Sequence, residues 1–183
     1  MEKNWLPSKR NIFSTLAVIG ILSVPLYYVH MKNEIVEKDE RVRYSWSQVE
    51  STIQRRYELI PNLISSTKAY MAHESSVMEK LAKSRSEWIN ARTESDKVEY
   101  SNNVESALLQ YNLTAEKYPE LKASANFSEL NTALEGSENR VAIERRRYIE
   151  SVRDYNSYVK KFPVSLLNHP PRKAYYQIAA EAK

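Results

Sequence analysis

Eleven positions between Phe127 and Phe162 recur at alternating steps of four and three: Phe127, Asn131, Leu134, Glu138, Val141, Arg145, Tyr148, Val152, Tyr155, Val159 and Phe162. Residues so spaced share one face of an α-helix, and no strand periodicity reproduces a seam held over five heptads. At 1.5 Å per residue the segment is a helix about 54 Å long, and its stripe has to be buried against other helices. Pro163 ends it. Only 2 of the 183 residues are glycine, against roughly 13 at the average usage of about 7%. A chain so poor in residues for tight turns is ill suited to a Rossmann sheet, a P-loop or a β-barrel.

Three further runs carry the same signal. Ile35, Val42, Trp46, Val49, Ile53 and Ile60 are separated by steps of 7, 4, 3, 4 and 7, and Pro61 interrupts the run. Proline lacks an N–H and disfavours helical backbone at the residue before it. Leu63, Thr67, Tyr70, Glu74, Val77, Leu81, Ser84 and Trp88 continue as one predicted helix ending between Arg92 and Asp96. Tyr100, Val104, Leu108, Tyr111, Ala115 and Tyr118 mark a helix over about Lys97 to Tyr118, stopped by Pro119. Asn126, with Glu129 three residues on, reads as a capping box opening the longest helix. Gly136 inside that helix marks a close helix approach or a slight bend. The expected fold is all-α: an N-terminal transmembrane helix, then an up-and-down four-helix bundle of long helices. Residues 1–31 form the flank and anchor and residues 32–163 the bundle. Residues 164–183 form a tail that straps the body and contains a short helix from Arg172.

The anchor is read from Asn11 to Met31, 21 residues without a formal charge. A helix of about 20 residues crosses the roughly 30 Å hydrocarbon layer. A cleavable signal peptide is the competing reading, since Lys9 and Arg10 precede the apolar run. No A-x-A-like site follows, and the bulky stretch Leu26 to Val29 is a poor place to cleave. Tyr27 and Tyr28 suit one interface and Trp5 the other, while Pro25 tilts or kinks the span. Lys3, Lys9 and Arg10 on one side nearly balance Lys32, Lys38, Arg41 and Arg43 on the other. Lys9 and Arg10 abut the span, and this tips the body toward the outside of the cytoplasm.

Charge and motif content narrow the chemistry. The formal charge of +4 divides into +2 for residues 1–31 and +2 for the rest, which is no electrostatic footprint for nucleic acid. With 0 Cys the chain has no disulfide framework, thiolate metal site or cysteine nucleophile. His73-Glu74 opens an HExxH pattern, but Val77 stands where its second histidine belongs. None of His30, His73 and His169 follows a glutamate by three residues, as a di-iron bundle requires. There is no GxSxG or Walker A sequence. No metal, cofactor or catalytic residue is therefore assigned. Arg55-Arg56, Arg145-Arg146-Arg147 and Lys160-Lys161 are basic clusters. Arg56, seven residues beyond Val49, and Arg145, between Val141 and Tyr148, fall on the seams, as do Glu74 and Glu138. Buried charges have to be paired, so a buried layer of Arg56, Arg145, Glu74 and Glu138 is expected, with Arg56–Glu138 or Arg145–Glu74 as the pairs. An exposed anion site and arginines reaching the bundle rim are the alternatives. The 13 tyrosines, among them Tyr148, Tyr155 and Tyr158, fit a core with hydroxyls at its edge better than a ligand pocket.

Two blocks, VRYSWSQVESTIQRRYELIPNLISSTKAYMAHE (Val42–Glu74) and YPELKASANFSELNTALEGSENRVAIERRRYIESVRDYNSYVKKFP (Tyr118–Pro163), resemble the signature blocks of the LemA family of bacterial membrane-anchored proteins. RRYELIPNL, YPELKA, LEGSENR and YNSY occur in the family's order. The matching motif positions are Arg55, Arg56, Pro61, Asn62, Tyr118, Pro119, Gly136, Glu138, Asn139, Arg140, Arg145, Tyr155 and Asn156. Ile149 replaces the Asn of a first Tyr-Asn pair, Glu144 occupies a usually small position, and the tail lacks the common Gly/Phe-rich ending. The resemblance implies a helical bundle on the cytoplasmic membrane with the N-terminus outside, opposite to the charge balance, and implies no reaction. Sequence and resemblance together lead to the expectation of a single-pass envelope protein. Its bundle is an interaction or scaffolding module, with a protein partner or a second copy as occupant. The alternative is an envelope ligand sensor or hydrolase with a pocket lined by Tyr and Arg.

Overall fold

The computed structural model describes residues 9–176, with side chains from residue 20 onward. Among them the order is α1 (Lys9–Tyr57), α2 (Ile60–Thr67), α3 (Ser75–Asn90), α4 (Glu94–Ala115), α5 (Pro119–Lys122) and α6 (Ala125–Val159), closed by a 3-10 turn (Val164–Leu166). There is no strand among the described residues. Helices α1 and α6 pack antiparallel along most of their shared length. Lys38 lies beside Tyr158, Trp46 beside Tyr148 and Arg56 beside Glu138, the α6 number falling as the α1 number rises. Helices α3 and α4 form the second hairpin, linked on its flank by Lys80 Nζ to Gln110 Oε1 at 2.8 Å.

All six seam residues read on the first stripe, Ile35 to Ile60, are buried, as are Val104, Leu108, Tyr111, Val141, Tyr148, Val152, Tyr155 and Val159. Full burial of such side chains is worth about 1.5–3 kcal/mol each, and the 3.6-residue period delivers them all to one interior.

Pro61 does break the path, and the structure shows what replaces the missing bond. A helix running on from Tyr57 would need the residue 61 N–H to reach the Tyr57 carbonyl, and proline has none. That carbonyl accepts instead from Arg85 Nε of α3 at 2.9 Å. The bend thus creates an acceptor, and the neighbouring hairpin docks a cation on it.

Several expectations are corrected. The run from Leu63 to Trp88 is two helices, separated by turns over residues 68–74 around fully buried Met71. Tyr70 is consequently exposed, and Glu74 becomes the residue preceding α3 rather than a seam position. Pro119 starts α5 instead of merely ending α4. Ser124 takes the cap position of α6 without a side-chain bond, which leaves Asn126 within the first turn. A Cβ on Gly136 would meet nothing within 4 Å, so no helix approaches closely there. Phe162, the last seam position, lies beyond the end of α6 and is 81% exposed. Among the described residues no helix is long and apolar enough to cross a membrane. The expected span falls partly on residues 11–19, whose side chains lie outside the description. The remaining Gly20–Met31 amounts to about 18 Å of helix, short of the hydrocarbon layer.

The tail does strap the body. Asn168, Lys173 and Tyr176 meet Lys32, Asp39 and Trp46, one contact per heptad of α1. Asn156 holds the strap by a reciprocal pair with Lys173, accepting from its N–H and donating to its carbonyl, both at 2.9 Å. The Tyr155 hydroxyl donates to the Pro170 carbonyl at 2.8 Å. No helix forms over Arg172–Tyr176, and the rest of the expected tail helix lies outside the described residues.

Arg85→Ala should cost about 1.5–3 kcal/mol, the range for a lost hydrogen bond to a charged group, in urea unfolding of the detergent-solubilised chain. In a Pro61→Ala background residue 61 regains an N–H for the same carbonyl, and the cost of Arg85→Ala should shrink. Equal costs in both backgrounds would contradict the linkage.

Candidate functional site

Arg56 is 5% exposed, at the last turn of α1, where the helix's partial negative end favours a cation. Its guanidinium bonds Glu105 Oε1 of α4 through Nη1, and Nη2 lies 3.5 Å from Glu138 Oε2 of α6. Arg145 of α6 approaches the same carboxylate, with Nη2 3.7 Å from Glu105 Oε1. One carboxylate therefore sits between two guanidiniums and joins three helices.

Ser101, fully buried one turn before Glu105, is the second node. Its Oγ accepts from Arg145 Nη2 at 3.2 Å and from the Tyr176 hydroxyl at 3.0 Å. It lies 3.2 Å from the Tyr57 hydroxyl, which in turn donates to the Ser101 carbonyl at 3.4 Å. A hydroxyl has one proton and two lone pairs. Two incoming donors and one outgoing proton to Tyr57 use all three. The Tyr176 ring stacks beneath Arg145 at 4.8 Å, a cation–π contact. Tyr57 meets Trp88 edge-on at 5.1 Å, and Lys97 lies 4.0 Å over the Trp88 ring while pairing with Glu50 at 3.2 Å. Burial raises the Tyr57 hydroxyl pKa well above its ordinary value, with the Glu105 charge acting in the same direction. Burial also lifts Tyr111 and Tyr148 to about 12.

The expected layer is placed as follows. Arg56 and Arg145 enter the interior and converge, and Glu138 reaches Arg56 from a position whose side chain is 64% exposed. Glu74 does not join them, because the turn before α3 removes it from the seam. It accepts from the Tyr118 hydroxyl at 3.2 Å. The central carboxylate is Glu105, which the sequence reading missed together with Ser101. Stepping back from Val104 by three rather than four continues the alternation and lands on Ser101, with Glu105 one turn later. That was the available signal. Of the remaining motif positions, Tyr155 and Asn156 are buried and hold the strap, and Tyr118 and Gly136 are half-buried. Arg55, Pro61, Asn62, Pro119, Asn139 and Arg140 are exposed.

Chemically most of the network's polar atoms are bonded to its own members. The Arg56 and Arg145 Nε atoms and the Trp88 indole N–H lack a partner within it. Two surface depressions, of 370 and 450 Å³, are lined by other residues, among them Arg92 and Tyr100 in one and Tyr44 and Arg147 in the other. No group of three or more His, Asp or Glu among the described residues could hold a metal ion. The arrangement suits cross-linking of helices better than turnover of a substrate.

Glu105→Ala takes the shared carboxylate from two largely buried guanidiniums, leaving Arg56 only the rim carboxylate of Glu138, and should destabilise the chain by about 3–5 kcal/mol, whereas Glu138→Ala and Arg146→Ala should each stay within about 1 kcal/mol of wild type. Urea midpoints of the three variants check this. Alkaline unfolding provides a second test. The folded-state pKa values of Tyr57, Tyr111 and Tyr148 are raised above the unfolded value near 10. Their contribution to stability is therefore complete below about pH 10 and lost as pH climbs toward the folded values. Urea midpoints should be flat from about pH 7 to 9 and fall beyond 10, with a shallower fall in Tyr57→Phe.

Over residues 45–183 the sequence matches the LemA family. Protein LemA of Metamycoplasma hominis is 24% identical to it over 146 residues, covering 78% of this chain and 67% of that protein. The family match takes in α1 from Ser45 onward, the whole network and the strap. This chain belongs to the LemA family.

Proposed function

We propose that this chain is a single-pass protein of the bacterial cytoplasmic membrane whose helical bundle is an interaction or scaffolding module of the cell envelope. The observation that carries the reading is the continuity of α1. The helix runs unbroken from Lys9 to Tyr57, so the packed half and the apolar half are one rod. Along the apolar half Ile21, Leu22, Val24, Leu26, Tyr27, Tyr28 and Val29 are all exposed. Apolar surface left bare over about two and a half turns needs a cover, and a bilayer covers every side of a helix at once. Pro25 is tolerated within the helix, as in many spans.

The bundle supplies the second half of the reading. Its polar core is committed to internal bonds, so recognition falls to its outer faces. Leu109 and Leu113, one turn apart on α4, are both more than half exposed and give a partner or a second copy an apolar foothold.

Affinity capture of the full-length protein from detergent extract should recover a stoichiometric partner or a homo-oligomer, and a partner-free monomer would count against the scaffold. A topology reporter fused after Lys183 should be active only if periplasm-dependent, following Lys9 and Arg10 at the membrane's inner face. Activity solely of a cytoplasm-dependent reporter would reverse the orientation.

A further inference from the structure

The end of the bundle from which the apolar half of α1 emerges carries a second apolar feature. Beyond α6 the chain turns through Lys160, Lys161, Phe162, Pro163 and the 3-10 turn Val164–Leu166. Val164 is buried and pins the loop to the body, while Phe162 and Leu166, two residues to either side, are 81% and 75% exposed. The loop's height on α1 follows from its neighbours. Lys38 Nζ lies 5.2 Å from the Tyr158 ring, one turn before the loop, and Lys32 Nζ bonds the Asn168 carbonyl just after it. Phe162 and Leu166 are thus level with the residues around Lys32, where the apolar stretch ending at Met31 begins. Charge matches the position: residues 160–173 contain Lys160, Lys161, Arg172 and Lys173 and no Asp or Glu.

We propose that the loop Lys160–Leu166 is a lipid-contact surface: Phe162 and Leu166 enter the interfacial layer of an anionic bilayer, and Lys160 and Lys161 face its phosphates. The proposal rests on the anchor reading above. If α1 enters a bilayer at Met31, the surface of that bilayer meets this loop before any other part of the bundle. Aromatic and aliphatic side chains flanked by lysines gain both from partial burial and from anionic headgroups. The contact gives the body a second point of attachment and fixes the bundle's rotation about α1, which one helix alone leaves free.

With no native cysteine, a single introduced cysteine labels one site. Full-length Phe162→Cys, Leu166→Cys, Val24→Cys and Ser128→Cys are nitroxide-labelled and reconstituted into phosphatidylcholine vesicles with or without phosphatidylglycerol. Collision with oxygen, which concentrates in lipid, is compared with collision with an aqueous nickel chelate. The oxygen-to-nickel ratio at 162 and 166 should exceed that at Ser128, at the far end of α6, severalfold. Lys160→Glu with Lys161→Glu should lower the ratio at 162 in phosphatidylglycerol vesicles and much less without that lipid. Aqueous labels at 162 and 166 beside a lipid-exposed label at 24 would overturn this inference and leave the anchor standing. An aqueous label at 24 would remove the anchor and the inference with it. Labels at 162 and 166 shielded from both reagents would mean that a protein surface covers the loop, and would overturn the proposal.

Discussion

A single carboxylate, 29% exposed and held between two more deeply buried guanidiniums, is the interaction around which this bundle is organised. Glu105 draws Arg56 from α1 and Arg145 from α6 onto α4, and a largely buried guanidinium deprived of this carboxylate is costly to keep in the interior. Apolar seams alone would tolerate sliding by a heptad, since Val, Leu and Tyr positions repeat. The Glu105 contact exists in one register only, and Ser101 adds three directional bonds to it. The strap depends on the same node, because Tyr176 is both a donor to Ser101 and the ring beneath Arg145.

A second constraint acts at the ends of α1. At its C-terminus Pro61 removes one backbone donor, and Arg85 supplies the replacement from the α3/α4 hairpin. At the other end the helix passes from the packed region into its exposed apolar half without a break. Most of the polar core bonds within itself, so the interior holds a fixed shape.

Much of the fold was legible because helical burial is periodic. Ile35 to Ile60 and Val141 to Val159 could be placed inside from spacing alone. The errors have a common physical origin. Residues 68–74 contain no glycine or proline, so nothing local announced the turn, and the 4-3 count ran through it and put Glu74 on a seam it never reaches. On α4, two successive steps of four placed Tyr100 where Ser101 belongs and hid Glu105. A straight helix drifts by about 20° per heptad, and over a short helix that suffices to confuse neighbouring positions. The two arginines were legible because each lies within one heptad of a buried valine, Val49 and Val141, on an unbroken helix. Glu138 was read as interior, yet it reaches Arg56 from the rim, since a long acidic side chain on a boundary position spans the difference.

The central claim is that Glu105, Arg56 and Arg145 form one structural unit whose charges act chiefly on each other. It is tested most directly by the unfolding midpoint of the full-length chain carrying Arg56→Met, Glu105→Leu and Arg145→Met together, set beside Glu105→Leu alone. Apolar replacement of a whole buried ion cluster is often neutral or stabilising, whereas removal of one member is costly. The triple variant should therefore recover most of the stability lost in the single variant and keep its helical circular dichroism. A triple variant as unstable as Glu105→Leu, or less stable, would contradict the account and show that these residues do not act as a self-contained unit.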